Sequence, residues 1–110
     1  MIFILFSIFN TNAFAQSHKV DICKTISVYG TIPFICKEKG ISSRQCDNLF
    51  YDTTKELRQK NIPYEIIDLL KKTYEVGKKD AYITNKYRTV PSKEAYNFIY
   101  TTCLEKAAEN

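Results

Sequence analysis

The chain has 110 residues, of which 45% are hydrophobic and 14% aromatic, and it carries a formal net charge of +4. That apolar content excludes a disordered chain, and the length excludes more than one domain of ordinary size. Three glycines and three prolines are too few for the turns of a β-sandwich or barrel, so composition points to helices joined by short loops.

The first element is the apolar run Ile2-Phe3-Ile4-Leu5-Phe6-Ser7-Ile8-Phe9, followed by Asn10-Thr11-Asn12 and Ala13-Phe14-Ala15. The run is far shorter than the ~20 residues that span a bilayer. Ala13 and Ala15 supply the small-x-small pattern of a signal peptidase site, so residues 1–15 read as a signal peptide cleaved before Gln16. The alternative is an uncleaved buried strand or anchor. With cleavage, residues 16–110 remain as one exported domain, periplasmic or secreted, with no stable membrane insertion.

Residues 19–39 carry Ile22, Cys23, Ile26 and Tyr29 at the helical period. Gly30 and Pro33 predict a kink or short break there, because Pro33 cannot donate to the Tyr29 carbonyl and its ring crowds that turn. Phe34, Ile35 and Cys36 lie beyond it, and Gly40 reads as a left-handed cap. Ser42-Ser43-Arg44-Gln45 fits a capping box. The helix it opens places Cys46, Leu49, Phe50, Thr53 and Leu57 on one stripe and ends near Asn61. A third helix opens with Pro63 in its first turn. Its apolar side is Ile66, Ile67, Leu69, Leu70 and Tyr74, and Gly77 stops it. Residues 78–91 form a basic, tyrosine-rich connection of no readable structure. A last helix follows Pro91-Ser92, with Ala95, Phe98, Ile99, Thr102 and Cys103 near one face. The expected fold is all-α, a small bundle of about four helices with two disulfides.

The four cysteines, Cys23, Cys36, Cys46 and Cys103, suit a disulfide framework in a short exported chain. A zinc site wants close pairs such as C-x2-C, whereas the gaps here are 12, 9 and 56 residues. Of the three possible pairings, Cys36–Cys46 follows from the short connection at Gly40, which sets those residues at facing ends of adjacent helices. Cys23–Cys103 is then the remaining bridge.

No residue reads as catalytic. The only histidine, His18, lies near the expected mature N-terminus, which leaves no base for a nucleophile. The acids mostly sit beside lysines on helix surfaces, and no phosphate loop, dinucleotide fingerprint or metal-binding helix pair occurs. No cofactor and no metal are expected. The unusual feature is the stretch 71–93, where Lys71, Lys72, Lys78, Lys79, Lys86, Arg88 and Lys93 face only Glu75 and Asp80. Tyr74, Tyr82 and Tyr87 lie among them. Basic residues interleaved with tyrosines suit an acidic protein surface, since Tyr offers contact area at small entropic cost and charge speeds encounter. Lys71, Lys72, Lys78, Lys79, Tyr82, Lys86, Tyr87 and Arg88 are therefore the candidate partner-binding residues. The alternative is that the lysines only solvate a loop. Nucleic acid is a poor partner for an exported chain despite the charge.

Asp21-Ile22-Cys23-Lys24-Thr25-Ile26-Ser27, Ile66-Ile67 through Tyr74-Glu75, and Phe98 through Cys103 together resemble small exported helical proteins of bacteria and their phages. In these an early D-x-C-x-x-I and a late F…Y…C bracket the domain. The pair Cys36 and Cys46 departs from the two-cysteine version. By architecture the chain is also similar to periplasmic inhibitors, namely type VI amidase immunity proteins and the Spackle-type exclusion protein that blocks a lysozyme. The resemblance implies a protein-binding module that restrains a cell-wall-degrading or lysis protein. The rival expectation is a periplasmic stress chaperone like the HdeA family. A mature core with no histidine leaves such a chaperone only carboxylates as a switch.

Overall fold

The computed structural model describes residues 16–108, with side chains from Lys19 onward; the segment read as a signal peptide lies outside the described residues. Among them the chain forms four α-helices and one π-helical turn, with no strand: α1 (Gln16–Glu38), α2 (Ser43–Gln59), α3 (Tyr64–Lys79), the π-turn (Asp80–Thr84) and α4 (Ser92–Ala108). Helix α1 is the axis of the bundle, packed against α2, α3, the π-turn and α4. Its buried residues (Cys23, Ile26, Tyr29, Gly30, Phe34 and Cys36 among them) spread over much of its circumference. A helix apolar over so wide an arc can only be stable as the middle of a core.

Both disulfides form as the spacing predicts. Cys23–Cys103 spans 80 residues with Cα atoms 5.6 Å apart and joins α1 to α4. Cys36–Cys46 spans 10 residues with Cα atoms 5.9 Å apart and joins α1 to α2. Each bridge sits in its own apolar cluster. Ile26, Leu69 and Ala107 surround the first. Tyr29, Phe50, Leu70 and Tyr74 surround the second. In that second cluster Phe50 stacks on Tyr74 with centroids 4.1 Å apart and meets Tyr29 edge-on at 6.0 Å. Such pairs contribute about 0.5–1.5 kcal/mol beyond burial alone.

Of the kink or short break expected at Gly30 and Pro33, the break does not occur: α1 runs through both. The reason is its crossing with α3. Gly30 and Gly77 meet backbone to backbone, so closely that a Cβ on Gly77 would lie 2.4 Å from the Gly30 carbonyl oxygen and 3.4 Å from Pro33 Cγ. Pro33 is fully buried at this crossing. Packing of this kind offsets the ~3 kcal/mol that an interior proline costs a helix. The same contact corrects the expectation that Gly77 stops the third helix. Gly77 is buried inside α3 and serves the close approach, and the helical path continues into the π-turn.

Polar atoms at the crossing are satisfied within their own helices. Ser27 Oγ donates to the Cys23 carbonyl at 2.7 Å, Thr31 Oγ1 to Ser27 at 2.6 Å and Thr73 Oγ1 to Leu69 at 2.8 Å. Small hydroxyl residues thus line the tight contact without leaving buried groups unpaired.

The helix ends follow the sequence closely. Gly40 (φ 71°) closes α1 in a Schellman motif, with Ile41 N–H donating to the Cys36 carbonyl and Gly40 N–H to Lys37. Ser42 and Gln45 form the capping box. Asn61 (φ 60°) repeats the Schellman pattern after α2. Pro63 stands just outside α3 as its cap, one residue earlier than expected. At the start of α4 the Ser92 N–H donates to the Glu38 carboxylate, which also accepts from Ser92 Oγ at 3.3 Å. At the other end Lys19 Nζ donates to the Ala107 carbonyl at 3.4 Å. An anion at the N-terminus and a cation at the C-terminus of α4 both suit its dipole.

Two side chains leave the faces the periodicity assigns to them. Leu49 is 51% exposed, because α2 buries Cys46, Phe50 and Thr54 at a spacing of four. Phe98 is 61% exposed, because α4 buries Ala95, Cys103 and Ala107, again four apart or a multiple of four. Thr53 and Thr102 are half-buried at the edges of those faces.

Candidate functional site

The basic stretch folds into a pinned tip after α3, with Lys79, Ile83, Lys86, Tyr87 and Arg88 exposed. Lys37, near the end of α1, reaches it with one ammonium. Its Nζ donates to the carbonyls of Ala81 at 2.8 Å and Arg88 at 2.6 Å, and also to that of Asn85. Those three carbonyls lie in the π-turn and in the turn after it, where the regular α-helical ladder has ended. Tyr82 Oη donates to the Ile41 carbonyl at 2.6 Å. Asn85 Nδ2 donates to the Asp80 carbonyl at 2.9 Å. The tip is thus irregular backbone with the carbonyls of Asp80, Ala81, Asn85 and Arg88 paired, held to the α1–α2 corner. Single π-turns inside helices often mark functional positions.

The eight candidate residues do not act alike. Lys78 and Tyr82 face inward. Lys78 donates to both Asp47 carboxylate oxygens at 3.2 and 3.3 Å and pairs with Glu75 at 3.3 Å. Lys72 pairs with Asp68 at 3.1 Å on the α3 surface. Lys71 lines a cleft between α2 and α3 beside Tyr51. Arg88 pairs with Glu94 at 3.5 Å. Lys79, Lys86 and Tyr87 are exposed at the tip together with Ile83. Tyr87 is 94% exposed and Ile83 68%, and Lys86 Nζ lies over the Tyr87 ring at 5.5 Å. The structure therefore leaves Lys79, Lys86, Tyr87 and Arg88 exposed, with Lys86 over the Tyr87 ring, and turns Lys78 and Tyr82 inward as support.

Asp47 is the hub of that support. It accepts from Tyr74 Oη at 2.7 Å as well as from Lys78. Burial first, then the carboxylate of Asp47, push the Tyr74 phenol far above the ordinary tyrosine range. Burial and Asp47 also raise Tyr82, and burial and Glu56 raise Tyr29. Burial alone would lower Lys78, but its hydrogen bonds to Asp47 and Glu75 prevail and raise it. The stability effect has one sign. Each of these groups binds its proton more tightly in the folded state, so the contribution is complete below the unfolded pKa of about 10 and is lost as pH rises above it. Thermal stability is expected to fall steeply above about pH 10, and less steeply in Tyr74→Phe. Ultraviolet titration of the tyrosinates checks this. All phenols ionising together near their ordinary value, with no loss of Tm, contradicts it.

A second feature adjoins the tip. An apolar groove of about 220 Å³ lies between α1, α3 and α4, with Gly30 and Phe34 on its floor and Phe98 and Ile99 on its wall. Thr73, whose hydroxyl is already satisfied, and two carboxylates, Asp80 and Glu94, are its polar lining. Lys37, Asp47 and the groove were not legible as site residues, since each works through contacts more than 25 residues away in the chain, with no spacing signal.

Among the described residues no group of three or more His, Cys, Asp or Glu could hold a metal ion, and no helix is long and apolar enough to cross a membrane. Comparison with protein-family models, with curated proteins and with solved structures finds no match to this chain.

Proposed function

We propose that the chain is a periplasmic protein-binding module, an inhibitor or immunity- and exclusion-type factor acting on a cell-wall-degrading or lysis protein, and that it docks through the tip at residues 79–88. The observation that carries this reading is the pinned tip. Ile83 and Tyr87 are exposed on backbone that Lys37 and Tyr82 hold in place, with Lys79 beside Ile83 and Lys86 over the Tyr87 ring. Side chains displayed on rigid backbone bind with less ordering cost than those on a mobile loop. Aromatic anchors rimmed by cations suit an acidic protein surface such as the cleft of a hydrolase. Two disulfides in a small helical domain fit an oxidising compartment.

The test is inhibition of a panel of purified lysozyme-type and amidase-type hydrolases by the exported chain. At least one is expected to be inhibited at near-equal molar ratio. The double reversal Lys79→Glu/Lys86→Glu should slow association by about tenfold at low salt while leaving Tm unchanged, because exposed charges steer encounter and contribute little to folding. The deficit should shrink as the Debye length falls from ~30 Å at 0.01 M to ~10 Å at 0.1 M salt. Tyr87→Ala should act on dissociation instead. No inhibition across the panel, or association rates unaffected by the reversal, overturns the reading.

A further inference from the structure

We infer that the tip and the groove fit each other between two copies of this chain, so that the protein self-associates as a weak two-fold dimer in which Tyr87 of each copy enters the groove of the other. The proposal shares Tyr87 with the hydrolase reading but needs no other protein.

The groove sets the demands. Its volume of about 220 Å³ exceeds the ~150 Å³ that takes up a benzene ring, so one aromatic side chain fits. Its lining is apolar apart from satisfied Thr73, Asp80 and Glu94, so the occupant should be a ring with positive charge beside it. Gly30 keeps the floor open, since a Cβ there would lie 3.0 Å from Ile99 Cδ1 and 3.1 Å from Thr73 Cγ2. Lys86-Tyr87-Arg88 in this same chain meets each demand. Tyr87 is 94% exposed, the highest among the exposed large apolar residues. Its neighbours on both sides are cations, and Lys86 already lies over its ring. A ring so exposed is not in its own protomer's groove and is free to enter that of another copy.

Reciprocity follows from the sequence. The donor residues 86–88 and the acceptor residues Asp80, Val90 and Glu94 belong to one stretch of chain, residues 80–94. Two patches so close can be exchanged across a two-fold axis, each copy giving a ring and receiving one, which closes the assembly at two. Arg88, paired with Glu94 of its own chain, can meet the same carboxylate of the second copy. Two rings and their flanking cations make a footprint below the ~1,200 Å² of a standard interface, so the dimer is weak and depends on concentration.

Sedimentation equilibrium of the chain recovered after export, from micromolar to millimolar concentration, tests this. The expected result is a reversible monomer–dimer equilibrium with no larger species. Tyr87→Ala should weaken it at least tenfold, and Glu94→Lys should do the same by placing like charges together. The exchange Glu94→Lys with Arg88→Glu should restore dimerisation to within about threefold, since it regenerates opposite pairing in both settings. All of these side chains are exposed, and an unchanged Tm for each variant confirms that folding is intact. A monomer at every concentration, open-ended association, or a dimer indifferent to Tyr87→Ala overturns the inference. Hydrolase inhibition is read with Glu94→Lys, which keeps Tyr87 and the tip at residues 79–88, so failure here leaves the proposed function to its own test.

Discussion

Replacing Gly77 by Ala is expected to destabilise the protein by more than about 3 kcal/mol, at the upper end of what overpacking costs. An ordinary helix-interior glycine predicts the opposite sign, because alanine is better by roughly 1 kcal/mol as a helix former. Here the added carbon would stand 2.4 Å from the Gly30 carbonyl oxygen. The obstacle is backbone, so it cannot swing aside as a side-chain tip could. Relief requires α1 and α3 to separate, and that strips contact from Pro33, Thr73 and the groove floor together. Gly30→Ala should cost less, since its new carbon would meet only the ends of Ile99 and Thr73 at 3.0 and 3.1 Å. Gly40→Ala meets nothing within 4 Å but must hold φ at 71°, for a cost of about 1–2 kcal/mol. Urea unfolding of the three variants gives the order. Gly77→Ala as stable as the parent would mean that the crossing is not tight.

That crossing also marks where the sequence stops being readable. Features decided within a few residues were legible: the capping box at Ser42 and Gln45, the left-handed Gly40, the end of α2 at Asn61, and the pairing of Cys36 with Cys46 across a ten-residue span. Propensity misreads Gly30, Pro33 and Gly77 because all three are set by a neighbouring helix some 44–47 residues away, which no local pattern records. Leu49 and Phe98 fail for a milder reason. Both are apolar and adjacent to a buried face, but α2 and α4 each pack along a narrow line of residues four apart, which leaves the flanking position in solvent.

The candidate site divides along the same line. Composition identifies the basic, tyrosine-bearing stretch, and the structure exposes Lys79, Lys86, Tyr87 and Arg88 in it. Composition could not say which cations are occupied. Lys78 is committed to Asp47 and Tyr82 to Ile41, so mutating them would test the fold rather than any partner. Lys37, absent from the candidates, fixes the backbone on which Tyr87 and Ile83 are displayed. Its value comes from carbonyls 44 to 51 residues downstream.

Removing the long bridge should cost more than removing the short one. In the chain-entropy account a disulfide stabilises by restricting the unfolded chain, and the effect grows with the logarithm of the loop it closes. The 80-residue span of Cys23–Cys103 then contributes about 4–5 kcal/mol and the 10-residue span of Cys36–Cys46 about 3 kcal/mol. Against a total of ~5–15 kcal/mol for a small domain, Cys23→Ser/Cys103→Ser should lower Tm steeply or leave the chain unfolded at body temperature. Cys36→Ser/Cys46→Ser should remain folded with a lower Tm, its α1–α2 corner still closed by the Schellman motif and the capping box. Thermal unfolding by circular dichroism decides this, with tip geometry followed through Tyr82. If the short-bridge variant proves the weaker of the two, stability resides chiefly in the α1–α2 corner, and the tip that Lys37 and Tyr82 fasten there depends on that bridge for its shape.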